Sequence, residues 1–248
     1  MLPERVLSWD GCVNIRDLGG HPTEDGHTTR FGAVVRADSI RQLTDAGWET
    51  LLDYGVSRIV DLRFHSELAM DAPRDVAMEV VHVPLLPELD DAEWGEIDPI
   101  GDAQPDALGS TRAVYLEFLE RRRPQFGEAI EAVALAPEGA VVVHCFGGKD
   151  RTGLVVALLL RLAGVDRETI GADYALSGHN LREVTAAWVA KAEDEVERER
   201  RIRFGKAPAE AMVAVLEELE HRYGSVRGYL SAAGLSAETI DAAAARLL

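Results

Sequence analysis

The sequence predicts an α/β protein: a mostly parallel sheet of four or five strands with helices on both sides. Three observations carry this. First, short β-branched apolar runs recur at Phe31–Arg36, Val56–Leu62, Val80–Pro84 and Val141–His144, each of strand length. Second, longer stretches with helical signals lie between and after them. Third, the run ending at His144 breaks into a glycine-rich turn. That turn leads into Thr152–Ala163, long and apolar enough for a buried helix. Strand, tight loop and helix in that order build an anion site, because the loop amides converge and the helix N-terminus adds its positive end. The loop sits at the C-terminal end of the central strand, where open α/β sheets bind ligands.

The elements follow in order. Residues 1–30 carry few periodic signals apart from Asn14-Ile-Arg16-Asp17-Leu-Gly19-Gly20, where Arg16 and Asp17 read as a pair fixing the segment to the sheet. Cys12 reads as a small buried hydrophobe. After the strand at Phe31–Arg36 come a turn (Asp38–Leu43) and a helix capped by Thr44, running through Tyr54 and ended by Gly55. The strand at Val56–Leu62 leads into Asp61, Arg63 and Glu67, read as structural ion pairs at its C-terminal edge. Pro84 ends the next strand. Residues Leu85–Ser110, rich in Pro, Gly and Asp, read as one long irregular loop, and such loops are usually functional. Its Asp90, Asp91, Asp98 and Asp102 are candidate proton donors. A helical stretch Thr111–Ala136 is interrupted at Pro124, and another helix spans Asp166–Ser177. From Asn180 one long helical pattern with alternating charges runs to Phe204-Gly205, reading as a solvated, ion-paired face. Ala209–Tyr223 is amphipathic, with Met212, Leu216 and Leu219 on one side.

The chemistry concentrates at Cys145 and Arg151, which bracket the loop with five residues between them. A thiolate, not a thiol, is the nucleophile. A free cysteine titrates near ~8.5, and a helix N-terminus lowers that to roughly 3.5–7.5. The planar fork of Arg151 suits two oxygens of a tetrahedral phosphate. Gly147, Gly148 and Gly153 permit unusual backbone angles and close approach to a ligand. A nucleotide-binding Walker loop is excluded because Val143 and Asp150 occupy positions that require Gly and Ser/Thr. A zinc site would need at least three ligands at metal spacing, and His144 and Cys145 stand alone.

This loop resembles the signature of the cysteine-dependent protein tyrosine phosphatases, His-Cys-x5-Arg-Ser/Thr-Gly, matched at every fixed position by His144, Cys145, Arg151, Thr152 and Gly153. The longer run His144-Cys-Phe-Gly-Gly-Lys-Asp-Arg-Thr-Gly153 is similar to an atypical bacterial and fungal tyrosine-phosphatase family. So are Asn14–Gly20, Asp61-Leu-Arg63 with Glu67, and Tyr223-Gly-Ser followed by Gly234-Leu-Ser. The resemblance implies a phosphatase fold over residues 1–248, with a helical lid within about 180–222. It implies that Cys145 forms a cysteinyl-phosphate while Arg151 and the loop of Phe146, Gly147, Gly148 and Lys149 hold the phosphate oxygens. Thr152 would donate to the sulfur, His144 would orient the loop from behind, and Asp150 would be the proton donor. Lys149 would add a second cation at the rim, where tensin-type phosphoinositide phosphatases also carry lysine. The implied substrates are phosphotyrosine, with phosphoserine/threonine and phosphoinositides beside it, and no metal or other cofactor.

Composition bounds the partners. The 47% apolar share suffices for a large core, and two cysteines imply no disulfide framework. The 26 basic against 43 acidic residues give a net charge of −17, which argues against nucleic acid and against stable association with an anionic membrane. No start resembling a signal peptide is visible, and the longest apolar run is Leu154–Leu160, so a cytoplasmic protein is expected. Two alternatives differ in class: a catalytically inactive phosphatase-fold module that binds phosphorylated ligands, and a sulfurtransferase or arsenate reductase with a loop cysteine.

Overall fold

A computed structural model describes residues 5–71, 74–88 and 92–248. The first half of the chain holds β1 (Arg16–Asp17), β2 (Val34–Ala37), α1 (Asp45–Asp53), β3 (Val56–Asp61), α2 (His65–Leu68) and β4 (Glu79–His82). Helices α3 (Trp94–Asp102), α4 (Ala107–Arg121) and α5 (Arg123–Ala134) then lead to β5 (Ala140–His144). The rest is helical: α6 (Asp150–Leu162), α7 (Arg167–Asn180), α8 (Arg182–Val189), α9 (Glu195–Gly205), α10 (Ala209–Tyr223), α11 (Val226–Ala232) and α12 (Ala237–Arg246).

The five strands run in the order β1-β2-β5-β3-β4, and only β1 is antiparallel to its neighbour. The β-branched runs are therefore strands, and β5 is central as expected. Its residues are buried on both faces, and the two-residue period of a strand sorts them. Val141 and Val143 enter the larger core with α4, α5, α6 and α10. Ala140 and Val142 enter a smaller one with Trp48 and Leu51 of α1 and Trp9 of the N-terminal segment. This alternation continues past the strand end and puts His144 and Cys145 on opposite sides.

Three expectations are corrected. The region Leu85–Ser110 is not one irregular loop. It contains α3, whose Ile97 is 1% exposed and whose Trp94 ring packs edge-on against Phe118 at 5.7 Å. Gly95 and Pro99 lie on its exposed side, so the carbonyl left unbonded by Pro99 faces water, and burial of the other face outweighs the poor propensity. Helix α4 also begins at Ala107, four residues ahead of Thr111, where Asp106 caps it by accepting from Gly109 N at 2.8 Å. The interruption expected at Pro124 is present between α4 and α5.

The pattern from Asn180 to Gly205 is not one helix. It breaks after Val189 and restarts with Asp194, which accepts from Glu197 N at 2.8 Å. A short acidic side chain there caps better than it continues a helix. Finally, Arg16 and Asp17 do not pair with each other, because adjacent strand residues face opposite ways. Arg16 reaches Asp173 of α7, while Asp17 accepts from Gly19 N at 2.5 Å, Gly32 N at 2.8 Å and the Tyr54 hydroxyl. Both still fix the segment to the sheet, through separate partners.

Candidate active site

The loop from Cys145 to Arg151 is shaped from outside. Four successive carbonyls are occupied, three by donors from other segments and the fourth by the first turn of α6. Phe146 O accepts from Ser39 N at 2.9 Å, Gly147 O from Asn14 Nδ2 at 2.9 Å, Gly148 O from Arg36 at 2.7 Å and Lys149 O from Gly153 N at 2.9 Å. In a trans peptide the carbonyl and the following amide point oppositely. The amides of Gly147, Gly148, Lys149 and Asp150 are thus turned to the other side, toward the N-terminal end of α6. Gly148 has φ +64°, and a Cβ there would lie 2.5 Å from Ala37 O, so no other residue fits.

Behind the loop lies a buried charge cluster. Asp173 receives Arg16 at 2.9 Å and Arg36 at 2.7 Å, with Arg5 at 2.5 Å from a more exposed position. Burial alone would push the Asp173 carboxyl up, but the charges of Arg16, Arg36 and Arg5 outweigh it and hold it well below the usual carboxylate range. A depressed carboxyl contributes its full stabilisation above its unfolded value of about 3.9 and loses it as the pH falls through the folded value. Replacing it leaves two buried guanidiniums unpaired. Asp173→Asn is expected to lower stability by about 3–5 kcal/mol at neutral pH, read as the denaturant midpoint, with the deficit narrowing below pH ~4. An unchanged midpoint at pH 7 would refute the assignment of Asp173 as the anchor of Arg36.

Arg151, only 8% exposed, is held before any ligand arrives. Its guanidinium makes a two-pronged pair with Glu67 at 2.6 and 3.0 Å and lies 4.3 Å over the Phe64 ring. Burial works against the charge, yet Cys145, Glu67 and Asp150 together keep it secured. Glu67 also accepts from Phe64 N at 2.7 Å, so the side chain that caps the start of α2 also aims the arginine. The reading of Asp61, Arg63 and Glu67 as one group of structural pairs holds for Asp61 and Arg63, joined at 2.7 Å. It does not hold for Glu67, which faces the loop.

His144 is fully buried behind the loop. One ring nitrogen lies 3.4 Å from Asp61, whose carboxyl is held below its usual range because His144 and Arg63 together outweigh its burial. Its place matches an orienting residue. Cys145, on the opposite face, is 2% exposed and lines a pocket of about 350 Å³. Phe64, Trp94 and Phe118 wall one part of that pocket, and Leu181, Trp188 and Phe204 wall another. Phe146 carries a 42% exposed ring at its rim, with Arg41 5.9 Å from the ring centre. Cys12 is half-buried, and its thiol is pushed up by burial and by Asp38.

Two loop residues depart from expectation. Lys149 does not extend freely at the rim. Its ammonium donates to the carbonyls of Phe204 and, at 3.3 Å, Lys206, and lies 3.4 Å from Asp150. The reason is the exposed carbonyl end of α9, which attracts a cation. Thr152 is fully buried, but its hydroxyl makes no hydrogen bond, so the expected bond to the sulfur is not formed here. Asp150 opens α6 and borders the pocket, its Oδ1 accepting from the Tyr115 hydroxyl at 2.5 Å. Of the rival donors, Asp98 pairs with Arg200 at 2.5 Å and Asp102 with Arg203 at 2.9 Å. Asp90 and Asp91 lie outside the described residues.

The sequence reading did not single out Arg36, Asn14, Asp173 or Tyr115 for the site. Arg36 left one usable signal, a charge closing an apolar strand run. Asn14 stood in the Asn14–Gly20 motif, read there only as a segment fixed to the sheet, while Asp173 and Tyr115 gave no signal, since their partners lie 137 and 35 residues away.

Strand, glycine-rich loop, cysteine and clamped arginine are the parts of an anion site on an α/β fold. The sequence profile of the tyrosine phosphatase family matches residues 7–248. A tyrosine-protein phosphatase of Nostoc commune is 32% identical over 224 residues, 87% of this chain and 74% of that protein. The triple specificity protein phosphatase PtpB of Mycobacterium tuberculosis is 30% identical over 270 aligned positions, 95% of this chain and 96% of that protein. The chain belongs to the tyrosine phosphatase family, and its enzyme class is protein tyrosine phosphatase.

Proposed function

We propose that this protein hydrolyses phosphotyrosine esters through a cysteinyl-phosphate formed on Cys145. The observation that carries the reading is the loop itself: three carbonyls tied outward to Ser39, Asn14 and Arg36, so that amides and Arg151 face one pocket with Cys145 in its lining. The sulfur attacks phosphorus in line as the ester oxygen leaves with a proton from Asp150. Water then displaces the sulfur while Asp150 takes a proton back. Arg151 and the loop amides from Phe146 to Arg151, those of Gly147, Gly148, Lys149 and Asp150 among them, follow the equatorial oxygens into the transition state. Neither step calls for a metal ion. The aromatic and aliphatic walls favour an aryl ester, whose ring reaches a cysteine that is 2% exposed. Turnover of an aryl phosphate in the presence of a chelator, with mass-spectrometric trapping of phosphorylated Cys145, tests the reading. Phosphate release without any adduct on Cys145 would overturn it, and binding without release would favour the inactive module.

Helices α8 and α9 form the proposed lid, narrower than residues 180–222. Leu181, Thr185, Trp188, Phe204 and Gly205 border the pocket, whereas Met212, Val215, Leu216 and Leu219 of α10 are buried in the core. Asp98 and Asp102 of α3 and Lys149 of the loop tie α9 in place.

Activity beyond phosphotyrosine, on phosphoserine/threonine and phosphoinositides, accords with the name of the mycobacterial relative for proteins and with Lys149 for lipids. For a second phosphate to meet Lys149, its ammonium must leave the carbonyls of Phe204 and Lys206. Lys149→Ala is therefore expected to reduce hydrolysis of a phosphoinositide by about tenfold, the scale of one charge-assisted contact. A phosphotyrosine peptide should change far less. Equal losses on both substrates would remove the lipid argument.

A further inference from the structure

We infer that Tyr115, backed by Tyr174, is a positioning residue that selects which oxygen of Asp150 carries the transferred proton. The inference rests on the proposed role of Asp150 and adds to it two residues that belong to no signature motif in this sequence.

Three helices meet at this point. Tyr115 comes from α4, Tyr174 from α7 and Asp150 from the first turn of α6. Tyr115 Oη lies 2.5 Å from Asp150 Oδ1 and 2.8 Å from Tyr174 Oη. The two phenols are 3% and 1% exposed, and their rings meet edge to face at 6.1 Å. A phenol has one hydrogen to donate. When Asp150 is a carboxylate, Tyr115 spends that hydrogen on Oδ1, so the bond between the phenols must be donated by Tyr174. The chain then has one direction, Tyr174 to Tyr115 to Asp150, and each donor polarises the next. Burial, followed by the nearby Asp150 charge, pushes the Tyr115 hydroxyl far above its usual range, so it remains a donor.

The consequence is geometric. With Oδ1 engaged, Oδ2 is left as the oxygen for the reacting proton. In the first step the P–O bond breaks, the P–S bond forms and the proton on Oδ2 goes to the leaving oxygen. The carboxylate that results is met by the Tyr115 hydrogen bond. In the second step a water proton goes to Oδ2, the water oxygen bonds to phosphorus and the P–S pair returns to sulfur. The packing protects this arrangement. Gly153, a fixed position of the loop, has no side chain, and a Cβ there would sit 3.1 Å from the Tyr174 ring.

The test is a double-mutant cycle on two substrates. Tyr115→Phe keeps the ring and removes the hydroxyl. With phenyl phosphate, whose leaving group is basic, kcat should fall about tenfold, the effect of one hydrogen bond to a charged group. With an activated fluorinated aryl phosphate it should fall less than about twofold, which also shows that the variant is folded. Tyr174→Phe should show the same split at smaller size. In an Asp150→Ala background, Tyr115→Phe should do nothing further. Equal losses on both substrates, or an additive loss in the Asp150→Ala background, would show that Tyr115 only packs and would overturn the inference. A different failure is separable: if Asp150→Ala itself shows no dependence on the leaving group, the proton-donor reading of Asp150 falls, and this inference with it.

Discussion

Cys145→Ser is expected to lower kcat on aryl phosphates by at least about 10⁴-fold while leaving phosphate binding nearly intact. The two halves of that expectation have separate causes. Serine is a near isostere, but its hydroxyl needs a base to become a nucleophile. The nearest imidazole, His144, faces the other side of the sheet and lies 3.4 Å from Asp61, so it cannot take the proton. The hydrogen bonds that hold the binding elements in place do not involve the sulfur. Arg151 remains clamped by Glu67 at 2.6 and 3.0 Å, and the loop carbonyls remain tied to Ser39, Asn14 and Arg36. Calorimetric titration with inorganic phosphate reads the binding, and single-turnover hydrolysis of p-nitrophenyl phosphate reads the chemistry. Residual kcat within about tenfold of the wild type would mean that another group attacks phosphorus.

The parts of the site that the sequence discloses are those set by local order. Val141–His144, the glycines and the apolar run after Arg151 are contiguous, so strand, loop and helix follow from period and turn chemistry alone. Their central position in the sheet follows from the same runs. The contacts that hold the loop in shape are of another kind. Arg36 and Asp173 are 137 residues apart, and Arg151 and Glu67 are 84 apart. Nothing in either local pattern says that they meet. Lys149 shows the same limit from the other side. Its charge was legible, but its partners are backbone carbonyls at the end of α9, and a carbonyl has no sequence signature. Helix α3 was hidden because Pro99 and Gly95 are punctuation in sequence, while the burial of Ile97 and the packing of Trp94 on Phe118 exist only in three dimensions.

Asp150→Ala is expected to slow hydrolysis of phenyl phosphate by about 10²–10⁴-fold, the usual contribution of a positioned acid, and to change an activated fluorinated aryl phosphate far less. Position makes the case. Asp150 borders the pocket from the first turn of α6, next in sequence to Arg151, and Tyr115 holds one of its oxygens at 2.5 Å. Of the described alternatives, Asp98 borders the same pocket but from α3, away from Arg151 in sequence, and each is held by cations. Asp98 and Asp102 are ion-paired to α9 at 2.5 and 2.9 Å, and Asp61 is locked behind the loop between Arg63 and His144. A phenoxide as basic as that of phenyl phosphate leaves slowly without a proton. An activated phenoxide leaves unaided, so only the first substrate reports the acid. The variant should also flatten the basic limb of the pH–rate profile, since that limb records loss of the donated proton. Equal slowing of both substrates with the basic limb preserved would mean that Asp150 shapes the loop through Lys149 and Tyr115. The donor would then be sought at Asp98, which borders the same pocket beside Arg200.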